Sequence, residues 1–241
     1  MSAEIKRALT HLESDREVRV IVVTGSGRYF CTGMDLGGGN QADMSQQLEQ
    51  GTGPAGAIEL YERFRNCTKP LIARINGPAL GGGWGLVFTA DIRVATKDAW
   101  FWFAEVKRGL VPAIISAYIV PQIGAFRAKE YMLTGKKMSA QKAYELGFVS
   151  ALVENEQELD AKVNEYVEEL LSSAPTAMAD IKHLVNHVSS HSHEDNLNEV
   201  EKVFGKMVHS EEALYGMSCF AQKKKPDWAA FHNNEKDKAK L

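Results

Sequence analysis

Two turns that contain glycine hold the backbone groups of this chain that are best placed for catalysis. The first turn, residues 30–36 (Phe-Cys-Thr-Gly-Met-Asp-Leu), follows an apolar, β-branched run from Val18 to Thr24. The second turn, residues 77–85 (Gly-Pro-Ala-Leu-Gly-Gly-Gly-Trp-Gly), follows Leu71 to Ile75 and opens a helix-like stretch. Backbone N–H groups at a helix start are free to bind an anion, and the helix dipole favours negative charge there. Two such donors from different loops form an oxyanion hole, so the pair predicts chemistry at a carbonyl group.

Strands and helices alternate in the part of the chain that would position these turns, which predicts an α/β fold. The alternation runs to about Ala95, and helical patterns dominate afterwards. The polar, glycine-rich segment 37–54 shows little apolar periodicity, which is typical of a lid or of a disordered loop. A later helix carries an apolar stripe that predicts core or subunit interface, made of Leu159, Val163, Tyr166, Val167 and Leu170.

Glu105 is the carboxylate with the most informative surroundings. It follows the apolar and aromatic run 99–104, Ala-Trp-Phe-Trp-Phe-Ala. A carboxylate at the end of such a run would be partly desolvated, which raises its pKa toward the range useful for proton transfer. The alternative interpretation is a solvated surface glutamate that follows a run of core aromatics.

The two turns and residues 104–112 (Ala-Glu-Val-Lys-Arg-Gly-Leu-Val-Pro) resemble the crotonase family of enoyl-CoA hydratases and isomerases over most of the chain. The resemblance implies an α/β, crotonase-like fold with a ββα spiral core and a C-terminal helical oligomerisation region. It further implies one domain over residues 1–241, with a core to about residue 170, a helical trimerisation region over about 171–228 and a polar tail over 229–241.

The same resemblance assigns roles at the site. The N–H groups of Met34 and Gly82 would form the oxyanion hole, and Glu105 would be the acid/base carboxylate. Asp35 and Leu36, directly after Met34, would contact the substrate. The expected substrate is an acyl-CoA thioester, with coenzyme A as part of the substrate and no separate cofactor.

Resemblance also assigns residues 215–228 to the terminal helix of the family. Phe220 and Lys223 would then contact the adenine and phosphate end of coenzyme A. The alternative is a solvated lysine run that follows a helix. Because family members assemble as trimers or paired trimers, the resemblance implies a homotrimer or homohexamer.

Departures from the family pattern leave the reaction open. Gly85 stands where hydratases with two carboxylates carry a second glutamate, and Ala113 stands where dienoyl isomerases carry an acid. A single carboxylate suffices to move a proton between C2 and C4, which favours a 3,2-enoyl-CoA isomerase. Residues 109–116, however, resemble members that act on branched methylglutaconyl-type substrates, some of which are hydratases without that glutamate. Decarboxylation of a malonyl-type thioester is a third possibility.

The start of the chain also departs from the pattern. A helix beginning near Glu4 comes almost first, whereas family members begin with two strands and an Arg-Pro loop. We therefore expect either a shortened protein or a start upstream of Met1. Together with Gly85, this favours an alternative function, a non-catalytic subunit that binds coenzyme A or assembles with active relatives.

The composition argues against several classes of function, including nucleic-acid and membrane binding. The 241 residues are 44% hydrophobic with a formal charge of −3, which gives no general attraction to nucleic acid or to anionic membranes. No segment is long and apolar enough to predict a membrane span. The three cysteines do not have the spacing of a metal site. His183, His187 and His191 recur every four residues and could line one helix face as metal ligands, but no cysteine or acid stands at a matching spacing, so an exposed helix face without a metal is expected. The sequence 25–30 lacks the third glycine of a dinucleotide loop, so no Rossmann cofactor site is expected either.

The C-terminus predicts a destination. Ala239-Lys240-Leu241 is a conservative variant of the Ser-Lys-Leu peroxisomal address, and it ends a polar tail. We therefore expect a peroxisomal protein that is bound by the peroxisomal import receptor.

Overall fold

A computed structural model describes residues 2–33 and 54–232 of the chain. The predictions that concern Met34, Asp35, Leu36, the segment 37–53 and the terminal Ala239-Lys240-Leu241 lie outside the described residues. Those predictions therefore stay predictions.

A four-stranded parallel sheet carries the two predicted turns at its strand ends. Its strands, in the order β1-β2-β4-β7, are β1 (Ile21–Thr24), β2 (Leu71–Ile75), β4 (Ile92–Thr96) and β7 (Ala151–Val153). Leu71, Ile72, Ala73 and Ile75 of β2 are at most 1% exposed. Burial of successive residues on both faces is typical of a central parallel strand, and the one charged residue of the strand, Arg74, forms ion pairs with Glu156 and Asp160.

A second, three-stranded sheet, whose strands are interleaved along the chain with those of the first sheet, leads to the site residues. It has the order β3-β5-β6, with β3 (Ala79–Leu80) parallel to β5 (Trp100–Trp102) and β6 (Lys137–Ser139) antiparallel to it. Cys31 of the first turn adds a parallel bridge to Ala79. This sheet therefore connects both glycine turns with the strand that leads to Glu105.

Helices make up most of the described chain after β5, as the sequence predicts. A 3-10 turn covers Glu105–Arg108. The α-helices are α1 (Ser2–Ser14), α2 (Pro54–Arg65), α3 (Gly82–Thr89), α4 (Ala113–Ile123), α5 (Ala125–Thr134), α6 (Ala140–Glu145), α7 (Glu156–Leu171), α8 (Pro175–Val188), α9 (His193–Val208) and α10 (Glu211–Ala221). None of the helices in the described ranges is long and apolar enough to cross a membrane.

The described residues form two compact units. The first contains residues 2–15, 21–33, 54–67 and 71–165, and the second contains residues 16–20, 68–70 and 166–232. The core of the first unit includes Trp84, which is 1% exposed and packs against the rings of Phe101 and Phe103 at centroid distances of 5.2 and 4.3 Å. Phe101 and Phe103 point inward while Trp100 and Trp102 are half-buried, which is the alternation of a β-strand.

A buried carboxylate in the second unit binds the start of a helix. Glu212 is 7% exposed and accepts hydrogen bonds from the N–H groups of Thr176 (3.0 Å) and Ala177 (2.9 Å) at the start of α8. The indole N–H of Trp228 donates to the carbonyl of Ser172 at 3.0 Å. Glu212 thus satisfies N–H groups that the first turn of α8 leaves without helical partners.

Candidate active site

The second glycine turn has the backbone geometry that leaves N–H groups free at a helix start. Gly81 precedes α3 with φ 48° and ψ −119°, and its own N–H donates to the carbonyl of Trp102 at 3.0 Å. No side chain caps α3. Gly82 is the first residue of the helix, so its N–H has no partner within the helix and points with the positive end of the dipole. This is the N–H that the sequence predicts as an oxyanion donor.

The first glycine turn docks directly onto the second. The N–H of Phe30 donates to the carbonyl of Pro78 at 3.0 Å, and the N–H of Leu80 donates to the carbonyl of Cys31 at 2.9 Å. Gly33 has φ +82°, and a Cβ there would lie 2.8 Å from the carbonyl oxygen of Leu80 and 3.1 Å from the nitrogen of Gly82. Only glycine fits that contact, because both the space and the positive φ exclude a side chain. The described part of this turn ends at Gly33, beside Gly82.

Glu105 lies beside the same turn. It follows β5 and begins the 3-10 turn Glu105–Arg108. Its Oε1 is 2.9 Å from the position that a Cβ on Gly81 would occupy. Its Oε2 is buried and has no hydrogen-bond partner among the described residues. Two of the predicted site residues, Gly82 and Glu105, are therefore brought together by the fold.

Burial changes the acidity of Glu105. Desolvation raises the pKa of the carboxyl group above its ordinary value, and it outweighs the hydrogen bond from the residue's own backbone and the attraction of Arg108, both of which lower the pKa. A half-buried carboxylate with one oxygen left without a donor is suited to accept and return a proton.

The space beside Gly85 is filled. A Cβ on Gly85 would lie 2.6 Å from Cγ2 of Ile115 and 2.8 Å from Cε1 of Tyr61. Tyr61, on α2, is 7% exposed, and its hydroxyl donates to the carbonyl of Gly82 at 2.9 Å. Burial, together with the nearby Cys31 and Glu105, raises the pKa of Tyr61 to about 12, so the hydroxyl stays protonated. Tyr61 was not among the residues predicted from sequence, and no motif surrounding it would have identified it.

Phe220 and Lys223 lie in the second unit. Phe220 is 85% exposed near the end of α10, and Lys223 is exposed with φ 56°. The prediction of a helix over residues 215–228 is wrong at its end, because α10 stops at Ala221. The backbone of Lys223 has a left-handed φ of 56°, and Pro226 disfavours helical backbone at the residue before it, so the helix does not continue through the lysine run. The assignment of Phe220 and Lys223 to coenzyme A binding stays a prediction.

No group of three or more histidine, cysteine or acidic side chains within residues 2–33 and 54–232 is arranged to hold a metal ion. The arrangement in the first unit is instead a helix start that faces one half-buried carboxylate. It suits a reaction in which a carbonyl oxygen gains negative charge while a proton moves on a neighbouring carbon.

Comparisons with family models, curated proteins and solved structures agree on one family. A family model described as enoyl-CoA hydratase/isomerase matches residues 1–231. An enoyl-CoA hydratase of Alternaria alternata is 37% identical over 226 residues, which cover 91% of this chain and 73% of that protein. A carnitinyl-CoA dehydratase of Proteus mirabilis is 31% identical over 94% of this chain and 87% of its own length. The crystal structure of an enoyl-CoA hydratase of Mycobacterium smegmatis superimposes with a TM-score of 0.86 at 27% identity, covering 95% of this chain and 88% of that chain.

Proposed function

Because this chain belongs to the enoyl-CoA hydratase/isomerase family, we propose that it acts on an enoyl-CoA thioester through an enolate that is held at the start of α3. Glu105 is the acid/base group of this proposal. The observation that carries it is the placement of the Glu105 carboxylate beside Gly81 and Gly82, with Oε2 buried and without a donor in the described residues.

The thioester oxygen accepts a hydrogen bond from the N–H of Gly82 in this mechanism. The N–H of Met34, which lies outside the described residues, supplies the second donor that the family resemblance implies. The negative charge that develops on the oxygen is stabilised by both donors and by the dipole of α3. Removing one such donor lowers the rate about a hundredfold to a thousandfold in comparable sites.

Addition of water to an α,β double bond, or its reversal, is the reaction we place first. The relatives described above carry the names enoyl-CoA hydratase and carnitinyl-CoA dehydratase, which support this choice. Glu105 removes a proton from water as the hydroxide adds to C3, and the electrons of the double bond move to the thioester oxygen. The protonated Glu105 then returns its proton to C2 and restores the carboxylate. The atoms balance without a redox step, so no cofactor beyond the coenzyme A of the substrate is needed.

Migration of the double bond from C3 to C2 is the second candidate. It is favoured by the filled space at Gly85, because no side chain at that position can share a water molecule with Glu105. Here Glu105 removes a proton from C2 and returns it at C4, and the thioester oxygen holds the dienolate between the two steps. One carboxylate is sufficient for both transfers.

The two reactions are distinguished by mass. Purified protein would be incubated in heavy water with a 2-enoyl-CoA, with a 3-enoyl-CoA and with a 3-methylglutaconyl-type thioester. Gain of one water on the 2-enoyl substrates supports hydration, whereas double-bond migration without a gain of water supports the isomerase. If none of the substrates changed, the proposed catalytic activity would be refuted, and a non-catalytic subunit that binds coenzyme A would be favoured.

The role of Glu105 has a matched control. Glu105→Gln keeps the shape of the side chain but cannot carry the proton, and we expect it to lower kcat by about a hundredfold to ten-thousandfold. Glu130→Gln makes the same chemical change at an exposed position on α5 and should leave kcat unchanged. Equal rates for the two variants would refute the assignment.

We also propose that the protein is imported into peroxisomes and forms a homo-oligomer. Import rests on the terminal Ala239-Lys240-Leu241, and deletion of these three residues from a fluorescent fusion should leave the fusion in the cytosol.

The homo-oligomer is supported by exposed apolar side chains on the helices of the second unit, including Val185, Phe204 and Leu214 at 56–61% exposure. Sedimentation of the purified protein at the mass of one chain would refute it.

A further inference from the structure

Tyr61 connects three parts of the first unit. Its ring lies against Gly85 of α3 and 5.2 Å from the ring of Tyr118 on α4, measured between centroids. Its hydroxyl donates to the carbonyl oxygen of Gly82 at 2.9 Å. The side chain is almost fully buried, so the hydrogen bond is shielded from water.

The ring decides what position 85 can hold. A Cβ there would be 2.8 Å from Cε1 and 3.1 Å from Cζ of Tyr61, and 2.6 Å from Cγ2 of Ile115. Real Cβ atoms essentially never lie within 3.0 Å of another heavy atom, as this one would to Cε1 of Tyr61 and to Cγ2 of Ile115, and a glutamate would need still more room. Tyr61 and Ile115 together therefore exclude a second carboxylate from the place where it would face Glu105.

The hydroxyl bonds a run of glycines at the start of α3. Gly81, Gly82 and Gly83 are consecutive glycines, which have the largest conformational freedom of any residue and no side chains to anchor them. The carbonyl of Gly82 belongs to the residue whose N–H is the proposed oxyanion donor. A hydrogen bond that fixes this carbonyl also restrains the direction of that N–H, because both groups sit on the same Cα.

We propose that Tyr61 is a positioning residue of the reaction, which fixes the oxyanion turn through its hydrogen bond to Gly82 while its ring keeps the site to a single carboxylate. The inference rests on the proposed function, since it assigns Gly82 to the thioester oxygen. Tyr61 acts through Gly82, so its hydroxyl contributes to the transition state more than to binding of the ground state.

A pair of matched variants tests the hydroxyl. Tyr61→Phe keeps the ring against Gly85 but removes the bond to Gly82, and we expect kcat to fall about tenfold while KM changes less than twofold. Tyr118→Phe is the control, because its hydroxyl is also bonded in the same unit but donates to Glu62 at 2.8 Å rather than to the turn. Its kcat should match the wild type. Equal kcat values for the two variants, or loss of the fold in Tyr61→Phe as judged by circular dichroism, would overturn the inference.

A spectroscopic measurement separates this inference from the proposed function. Cinnamoyl-CoA bound to the wild-type protein should show a thioester carbonyl stretch at lower frequency than in water, because the oxyanion donors polarise the bond. In Tyr61→Phe the shift should be smaller, and in Tyr118→Phe it should be unchanged. A full shift in Tyr61→Phe would overturn the inference alone, whereas no shift in the wild-type protein would overturn the proposed function and the inference together.

Discussion

Gly85→Ala is expected to destabilise the protein although alanine is the better helix former. Gly85 lies inside α3 and is buried. The added methyl carbon would lie 2.6 Å from Cγ2 of Ile115 and 2.8 Å from Cε1 of Tyr61. Ile115 is 4% exposed, and Tyr61 is held by its bond to Gly82 and by contact with Tyr118, so neither neighbour can move aside without loss of packing.

The expected magnitude follows from two opposing effects. Replacing glycine by alanine in a helix interior stabilises by about 0.5–1 kcal/mol. Forcing an extra carbon into a packed core costs about 1–3 kcal/mol. The free energy of unfolding should therefore fall for Gly85→Ala, and kcat should fall as well, because a displaced Tyr61 ring pulls its hydroxyl away from Gly82.

Gly205→Ala isolates the steric effect. Gly205 lies in α9, and a Cβ there would meet no heavy atom within 4 Å. This variant should gain stability from helix propensity alone, about 0.5–1 kcal/mol. The difference between the two variants in urea or thermal denaturation then measures the crowding at Gly85. A Gly85→Ala protein as stable as Gly205→Ala, with wild-type kcat, would refute the account of Tyr61 and Ile115.

Three further predictions concern other parts of the molecule. Burial raises the pKa of Glu105 above the ordinary glutamate value of about 4.3. Between that value and the raised pKa the folded protein binds more protons than the unfolded chain, so the free energy of unfolding falls as the pH rises through this range. Glu105→Gln should therefore melt at a higher temperature than the wild type at pH 7 but not below pH 4, and a lower melting temperature at pH 7 would contradict this. The acidic limb of the wild-type kcat/KM profile should lie above pH 4.3 for the same reason, and a limb at or below that value would speak against Glu105. In the second unit, Glu212→Ala removes the acceptor of two backbone N–H groups and should cost about 3 kcal/mol of unfolding free energy, whereas Glu201→Ala on the exposed side of α9 should change it by less than about 0.5 kcal/mol in the same denaturation experiment.

Much of the fold was predictable because local patterns specify it. Strands and helices alternate before residue 95 as predicted, the run Leu71 to Ile75 before the second turn is strand β2, and the β-branched run 18–24 contains strand β1, which begins at Ile21. The resemblance predicts a helix over 215–228, whereas α10 ends at Ala221, before a lysine run that is followed by Pro226. The local sequence at that point favours the alternative of a lysine run that follows a helix.

The amino-acid sequence by itself determined the family, the two glycine turns and the carboxylate that ends an aromatic strand. Each of these features follows from a local pattern. The glycines permit positive φ and close approach of the backbone, and the strand alternation buries Phe101 and Phe103. Glu105 is identified by its position directly after that strand. Only the tertiary structure decided that Tyr61 fills the space at Gly85 and bonds Gly82, because the ring and the turn are about twenty residues apart and meet only when α2 packs on α3. In the sequence, Gly85 marks only the absence of a second carboxylate. In the structure, the space beside Gly85 is filled by Tyr61 and Ile115. Contacts between distant residues depend on how whole elements pack, and that information is not contained in any single segment of the chain.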